Sequence, residues 1–313
     1  MQERIGIYDV LPGKIRFLVE KERLQEDLLQ EIRLRTGQPL ILIYRDREVF
    51  PMQDGKPYRV QEEDLKETLE YVSNYSLYAY EQEMRQGFIT MEGGHRVGMT
   101  GQAIMEKGQI KNLKYISSLN IRVSHEKPGC ADQVLPYLIR DQSVCHTLLV
   151  SPPRCGKTTL LRDLIRQISD GTRLLAGRTV GVVDERSEIG GCYRGVAQNR
   201  LGRRTDILDG CPKAEGMMML IRSMGPEVIA VDEIGKAEDV HAIEYAIHCG
   251  CRILATVHGA SMEELRQKPL FHQLIRRGCF ERYVLLGNQP KAGQVLGIYD
   301  ERGSLLYREE CTC

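Results

Sequence analysis

The 313 residues allow two domains, or one large domain with an appendage. A composition 42% hydrophobic and 27% charged is that of an ordinary soluble protein, and 43 basic residues against 43 acidic ones leave no net charge to draw the chain to nucleic acid. No apolar run has the length of a membrane span, and the charged N-terminus, broken by Pro12 and Gly13, is unlike a signal peptide, so no direct membrane insertion is expected.

The ten cysteines are irregularly spaced and read as reduced thiols. Cys249, Cys251 and His258 fit a buried strand better than a zinc site. In chain order, residues 14–31 read as an amphipathic helix with Leu18, Leu24, Leu28 and Leu29 on one side. Strands follow at 31–35 and 40–44, separated by the turn Thr36-Gly37-Gln38-Pro39. Glu62, Glu63 and Asp64 open a helix at the end where acids suit its dipole, with Leu65, Leu69 and Val72 at core spacing. A second helix over 76–86 carries Leu77, Tyr80 and Met84, and Tyr71, Tyr75, Tyr78 and Tyr80 read as packing groups. Strands at 88–91, 96–100, 110–116 and 119–123 complete a smaller α+β domain over 1–126, which holds no catalytic cluster.

Lys127-Pro128-Gly129 marks the junction to a second domain, 127–313, which starts with a helix through Leu135 and Ile139. The apolar run Leu148-Leu149-Val150 then leads into Ser151, Pro152, Pro153, Arg154, Cys155, Gly156, Lys157, Thr158 and Thr159, followed by helical spacing at Leu160, Leu161, Leu164, Ile165 and Ile168. This strand, loop and helix is the context in which G-x-x-x-x-G-K-[ST] binds phosphate. Unpaired amides at the helix N-terminus and the helix dipole suit a polyphosphate. Lys157 would reach the terminal phosphates, and the Thr158 hydroxyl would ligate Mg2+. Ser151 stands where the first glycine belongs; serine tolerates positive φ poorly, so a different turn, set by Pro152 and Pro153, is expected.

Further on, the apolar strand 179–183 ends in Asp184-Glu185, and a polar segment with Arg194, Arg200, Arg203 and Arg204 precedes a helix over 214–224. Strand 228–231 ends in Asp232-Glu233, a helix spans 237–248, and strand 252–256 runs into Val257-His258-Gly259. Helical stretches near 261–277 and strands at 283–286, 295–299 and 304–307 finish the chain. Alternating strands and helices after residue 145 predict a mostly parallel sheet flanked by helices, with ligands beyond the carboxyl ends of the strands. Those ends carry the phosphate loop, Asp184-Glu185, Asp232-Glu233 and His258. Asp232 would hold Mg2+, and Glu233 could orient or deprotonate the attacking water.

The order of these motifs resembles the hexameric secretion and pilus-retraction ATPases of type II and type IV systems. Asp184-Glu185-Arg186-Ser187-Glu188 looks like their Asp box, and Leu220-Ile221-Arg222 followed by Pro226-Glu227-Val228-Ile229 like the segment before the second acidic motif. Thr256-Val257-His258 looks like their His box, and Glu31-Ile32-Arg33-Leu34-Arg35-Thr36-Gly37-Gln38-Pro39 like the opening of their N-terminal domain. Runs 117–122, 152–159, 183–188, 207–214 and 231–235 are similar to members of that family serving the channel between mother cell and forespore in endospore formers.

The resemblance implies a RecA-like P-loop NTPase core using ATP and Mg2+. It also implies an ATPase ring of the AAA type, a hexamer in that family. Such a ring would sit at the cytoplasmic, mother-cell face of a sporulation channel complex, with that complex's integral-membrane components as partners. It favours Asp184, Glu185 or Glu188 as the base, whereas adjacency to Asp232 favours Glu233. Arg222 or the Arg200, Arg203, Arg204 cluster would stabilise transition-state charge, within one subunit or across two, and His258 could sense the terminal phosphate. Two other readings stay open. An ATP-gated assembly scaffold with negligible turnover is motivated by Ser151; a nucleic-acid translocase on the same fold is opposed by the zero net charge.

Overall fold

The computed structural model describes residues 6–45, 47–76, 80–288 and 293–308. The chain divides into two compact units, Met1–His125 with Gly191–Gln198 and Glu126–Gly190 with Asn199–Cys313.

In the first unit the elements are α1 (Gly13–Lys21), β1 (Leu29–Arg35), β2 (Ile41–Tyr44), β3 (Arg47–Val49), the small hairpin β4 (Met52–Gln53) and β5 (Lys56–Pro57), α2 (Glu62–Val72), α3 (Glu81–Gln86), β6 (Phe88–Thr90), β7 (Arg96–Glu106) and β8 (Gln109–Arg122). An antiparallel sheet in the order β3-β2-β1-β8-β7-β6 carries the core, with Ile32, Leu34, Leu42, Ile89, Val97 and Ile121 fully buried against α1 and α2. The helix expected over 14–31 stops at Lys21. Arg23 takes a left-handed φ of 50° that ends it, and Leu29 goes instead into β1, where it pairs with Tyr44 of β2, and from Glu31 onward the strand is paired with β8 as well. The strands expected at 110–116 and 119–123 are one strand, β8, interrupted by a bulge. Of the helix expected over 76–86, Leu77 and Tyr78 lie outside the described residues, while Tyr80 and Met84 are buried. Tyr75 is exposed, touching the ring of Tyr71 edge-on at 6.0 Å. Residues 191–198 join this unit by packing Tyr193 on its core and by the Gln198 Oε1 acceptor for Gly93 N–H at 3.1 Å.

The second unit opens with a 3-10 turn, Leu135–Leu138, and the hairpin β9 (Ile139–Arg140) and β10 (Ser143–Val144), in place of the expected helix. Asp141 and Gln142, both at positive φ, reverse the chain there. The remaining elements are β11 (Thr147–Ser151), α4 (Lys157–Asp170), β12 (Val180–Asp184), β13 (Thr205–Asp209), α5 (Lys213–Ser223), β14 (Val228–Val231), α6 (Ala237–His248), β15 (Arg252–His258), α7 (Met262–Gln267), α8 (Pro269–Arg276), β16 (Arg282–Gly287), β17 (Gln294–Asp300) and β18 (Leu305–Tyr307). The sheet order is β13-β12-β14-β15-β11-β16-β17-β18; the pairs from β13 to β16 are parallel and the last two antiparallel. β11, β12 and β14 are buried at every position, as strands covered on both faces require. β13 was hidden in the polar segment because it is an edge strand, half-buried throughout.

Candidate functional site

Strands β12, β14, β15 and β11 are neighbours in the sheet, so their carboxyl ends bring Asp184, Asp232, His258 and the loop 151–157 together. The loop's conformation disposes of the missing glycine. Ser151 is the last residue of β11, fully buried and paired opposite His258; its Oγ donates to Pro152 O at 2.7 Å. The positive φ values fall later, on Arg154 (60°) and on Gly156 (76°), directly before α4. A glycine is therefore needed at 156, where the chain turns into the helix, and not at 151.

Lys157 is 6% exposed, and its Nζ lies 2.9 Å from His258 Nδ1 and 3.4 Å from Ser151 O. Burial lowers its pKa, opposed by the charges of Asp232 and Glu233. Because an ammonium can only donate, His258 accepts at Nδ1 and carries its proton on Nε2, which donates to Glu233 Oε1 at 2.9 Å. The other carboxylate oxygen of Glu233 accepts from Arg186 at 2.9 Å. A continuous chain thus runs Lys157, His258, Glu233, Arg186. Glu233 itself holds a left-handed φ of 50° and donates its N–H to Thr256 Oγ1 at 2.9 Å. Such backbone strain concentrates where a side chain must be aimed.

Beside this chain, Thr158 Oγ1 donates to Asp232 Oδ2 at 2.8 Å, and Thr256 donates to the other oxygen. One hydroxyl from the first turn of α4 and one carboxylate from the end of β14 form a hard-oxygen pair that fits Mg2+, which takes few protein ligands and completes its shell with phosphate and water. Among the described residues no cluster of three or more His, Cys, Asp or Glu could hold a metal alone. The cleft, about 890 Å³, is lined by the loop together with Glu188, Glu233 and His258. That is room for a nucleotide.

The acids of 184–188 separate by geometry. Asp184, 1% exposed, accepts from the amides of Glu188, Ile189 and Gly190 at 2.8, 2.9 and 2.7 Å; burial nevertheless raises its pKa to about 6. It ties down the loop that carries Glu188 to the cleft. Glu185 points to Lys213 and Lys236; burial would raise its pKa, but the bond from Lys213 prevails and holds it below its usual range. Arg222 is exposed and lines a different groove, between α5 and α6. Arg200 and Arg203 pair with Glu126 and Asp170, and Arg204 donates to the Ser169 carbonyl. The partners that aim these acids leave no mark in the spacing of the sequence: Arg186 on Glu233, Thr256 on Asp232 and Lys213 on Glu185. A threonine inside the otherwise apolar run of β15 was the one available signal.

The fold is that of the RecA-like secretion ATPases. The ATPase DotB of Legionella pneumophila superposes with a TM-score of 0.58 over 88% of this chain and 76% of its own, at 15% identity. The pilus retraction motor PilT, solved with ADP, gives 0.57 over 94% and 83%, also at 15% identity. Within that fold the chain belongs to the family described as "Sporulation stage III, protein AA", which matches residues 1–306. It is 43% identical over 303 residues to Stage III sporulation protein AA of Bacillus subtilis (strain 168), covering 96% of this chain and 97% of that protein. Among the described residues no helix is long and apolar enough to cross a membrane.

Proposed function

We propose that this cleft binds and hydrolyses ATP, and that the chain is the ring-forming, hexameric motor of a secretion-like channel complex in endospore formation. It would work at the cytoplasmic, mother-cell face through integral-membrane partners, with hydrolysis coupled to domain motion. The observation that carries the reading is the chain from Lys157 through His258 to Glu233, set beside the Thr158–Asp232 pair at one phosphate loop. Family membership and the secretion-ATPase fold support the setting.

The residues divide the work as follows. The amides at the start of α4 and the Lys157 ammonium would hold the phosphates; Thr158 and Asp232 would hold Mg2+, which would supply neutralisation of phosphate charge. An arriving phosphate draws the Lys157 ammonium from His258 Nδ1, so His258 registers the terminal phosphate and passes its position to Glu233. Glu233, fixed on both oxygens, orients the attacking water and accepts its proton, and Glu188 is the second carboxylate within the cleft. Asp184 positions Glu188, while Glu185 has a structural role. Phosphate release by the full chain, measured beside Lys157→Ala and Glu233→Gln, tests this. Release no faster than that of Lys157→Ala refutes hydrolysis. The clamping of Glu233 between Arg186 and His258 favours a second reading, an ATP-gated scaffold; normal nucleotide affinity without phosphate release would select it.

A further inference from the structure

Two apolar surfaces stand exposed outside the cleft. The first is a two-stranded arm on the first unit. Pairing of β1 with β8 ends at Ser118, and pairing of β6 with β7 ends at Gly98, but β7 and β8 continue together through Gln102–Lys114, Ala103–Leu113, Ile104–Asn112 and Met105–Ile110. Directly opposed residues share a face, so Ala103, Met105, Ile110 and Leu113 form an apolar one; Leu113 is half-buried against the unit's core, which leaves Met105 and Ile110 as its exposed part. Met105 is 58% exposed and Ile110 45%. The bend at the arm's base is built in. Tyr115 has a φ of 46°, and a Cβ on Gly101 would meet the carbonyl oxygens of Lys114 and Tyr115 at 2.6 and 2.7 Å. Bulges of this kind aim a ribbon, and a lone two-stranded ribbon is marginally stable in water. The arm's charges are Lys107, Lys111 and Lys114 against Glu106.

The second surface is a groove of about 870 Å³ between α5 and α6 on the second unit. Met218, Met219, Ala242 and Tyr245 line it, with Met219 and Tyr245 exposed at 57% and 42%. Its carboxylates are Glu215 and Glu238, against the single guanidinium of Arg222. Methionines suit a surface that must mould to an inserted side chain.

We propose that the β7–β8 arm of one copy docks in the α5–α6 groove of a second copy. An apolar ribbon face with excess lysine meets an apolar groove with excess carboxylate, and the opposite charges steer the encounter. Because two different patches of one chain meet, the contact is head-to-tail; each added copy leaves a free arm and a free groove, and the series ends when a ring closes. This inference rests on the ring reading above and names its contact.

Sedimentation velocity on the full chain with ATP and Mg2+ tests it, using an arm variant, Met105→Asp/Ile110→Asp, and a groove variant, Met219→Asp/Tyr245→Asp. The wild type is expected to self-associate, and each variant to do so at least tenfold more weakly. An equimolar mixture of the two variants is expected to form a one-to-one dimer and nothing larger, since one intact arm and one intact groove remain between them. That dimer also shows both variants to be folded. A wild type that never associates overturns the inference and the ring reading together. A variant that associates as the wild type does overturns the arm–groove contact alone, as does a mixture that stays monomeric. Loss of arm-variant binding to phosphatidylglycerol vesicles, with self-association intact, would assign the arm to a lipid surface and overturn it too.

Discussion

Ser151→Gly restores the residue that a phosphate loop is expected to begin with, and the structure says that the change brings no gain in binding. Ser151 lies in extended backbone at the end of β11, with its carbonyl accepting from Gly259 N–H at 3.1 Å and its hydroxyl donating to Pro152 O at 2.7 Å. Glycine removes that side-chain bond, a net loss of about 1 kcal/mol. It also adds backbone freedom to the unfolded chain, at a further 0.5–1 kcal/mol or so. The second unit should therefore lose about 1.5–2 kcal/mol in a urea titration followed by circular dichroism. The amides that would face phosphate follow Arg154 and Gly156, whose φ values the substitution does not touch. A fluorescent ATP analogue should accordingly bind within about threefold of wild type, since less than about 0.7 kcal/mol separates the two. Affinity improved tenfold or more, with stability unchanged, would show that the opening turn is set at residue 151 and refute this account of the loop.

Two further outcomes follow from the acids. Burial raises Asp184 from 3.8 to about 6, so the folded state holds its proton more tightly than the unfolded one. Its contribution is fully present below about pH 4 and is lost as pH rises through 6, a span of about 3 kcal/mol. Melting curves of wild type and Asp184→Asn between pH 4 and 7 should therefore differ in slope, with the wild type losing stability relative to the variant as pH rises; parallel curves would contradict the assignment. Glu185→Gln leaves the Lys213 ammonium, 8% exposed, without its charge partner. It should cost about 1–3 kcal/mol in denaturant while leaving ATP affinity within about twofold; a lost turnover at unchanged stability would return Glu185 to the reacting groups.

The strand, loop and helix around Lys157 could be read directly, because a buried parallel strand is continuously apolar and a phosphate loop keeps its residues within a few positions. The same holds for β12, β14 and β15 with the acids and histidine at their ends. Local signals failed where a segment's state depends on distant partners. Leu28 and Leu29 continue a helical pattern, yet Leu29 starts β1 because it pairs with Tyr44 of β2, in a strand that β8 also binds from Glu31 onward. Thr205–Asp209 reads as polar coil, and pairing with β12 makes it an edge strand.

The sequence by itself determined the order of the motifs and which chemical groups the chain offers to a triphosphate, since those depend on residue identity and short spacing. Tertiary structure alone decided which acids reach the cleft. Asp184, Glu185 and Glu188 lie within five residues of one another, yet the first is held by amides of its own loop, the second by Lys213, and only the third lines the cleft. Which way each carboxylate turns is set by donors brought from other parts of the chain, and a hydrogen bond between residues distant in sequence leaves no periodic trace.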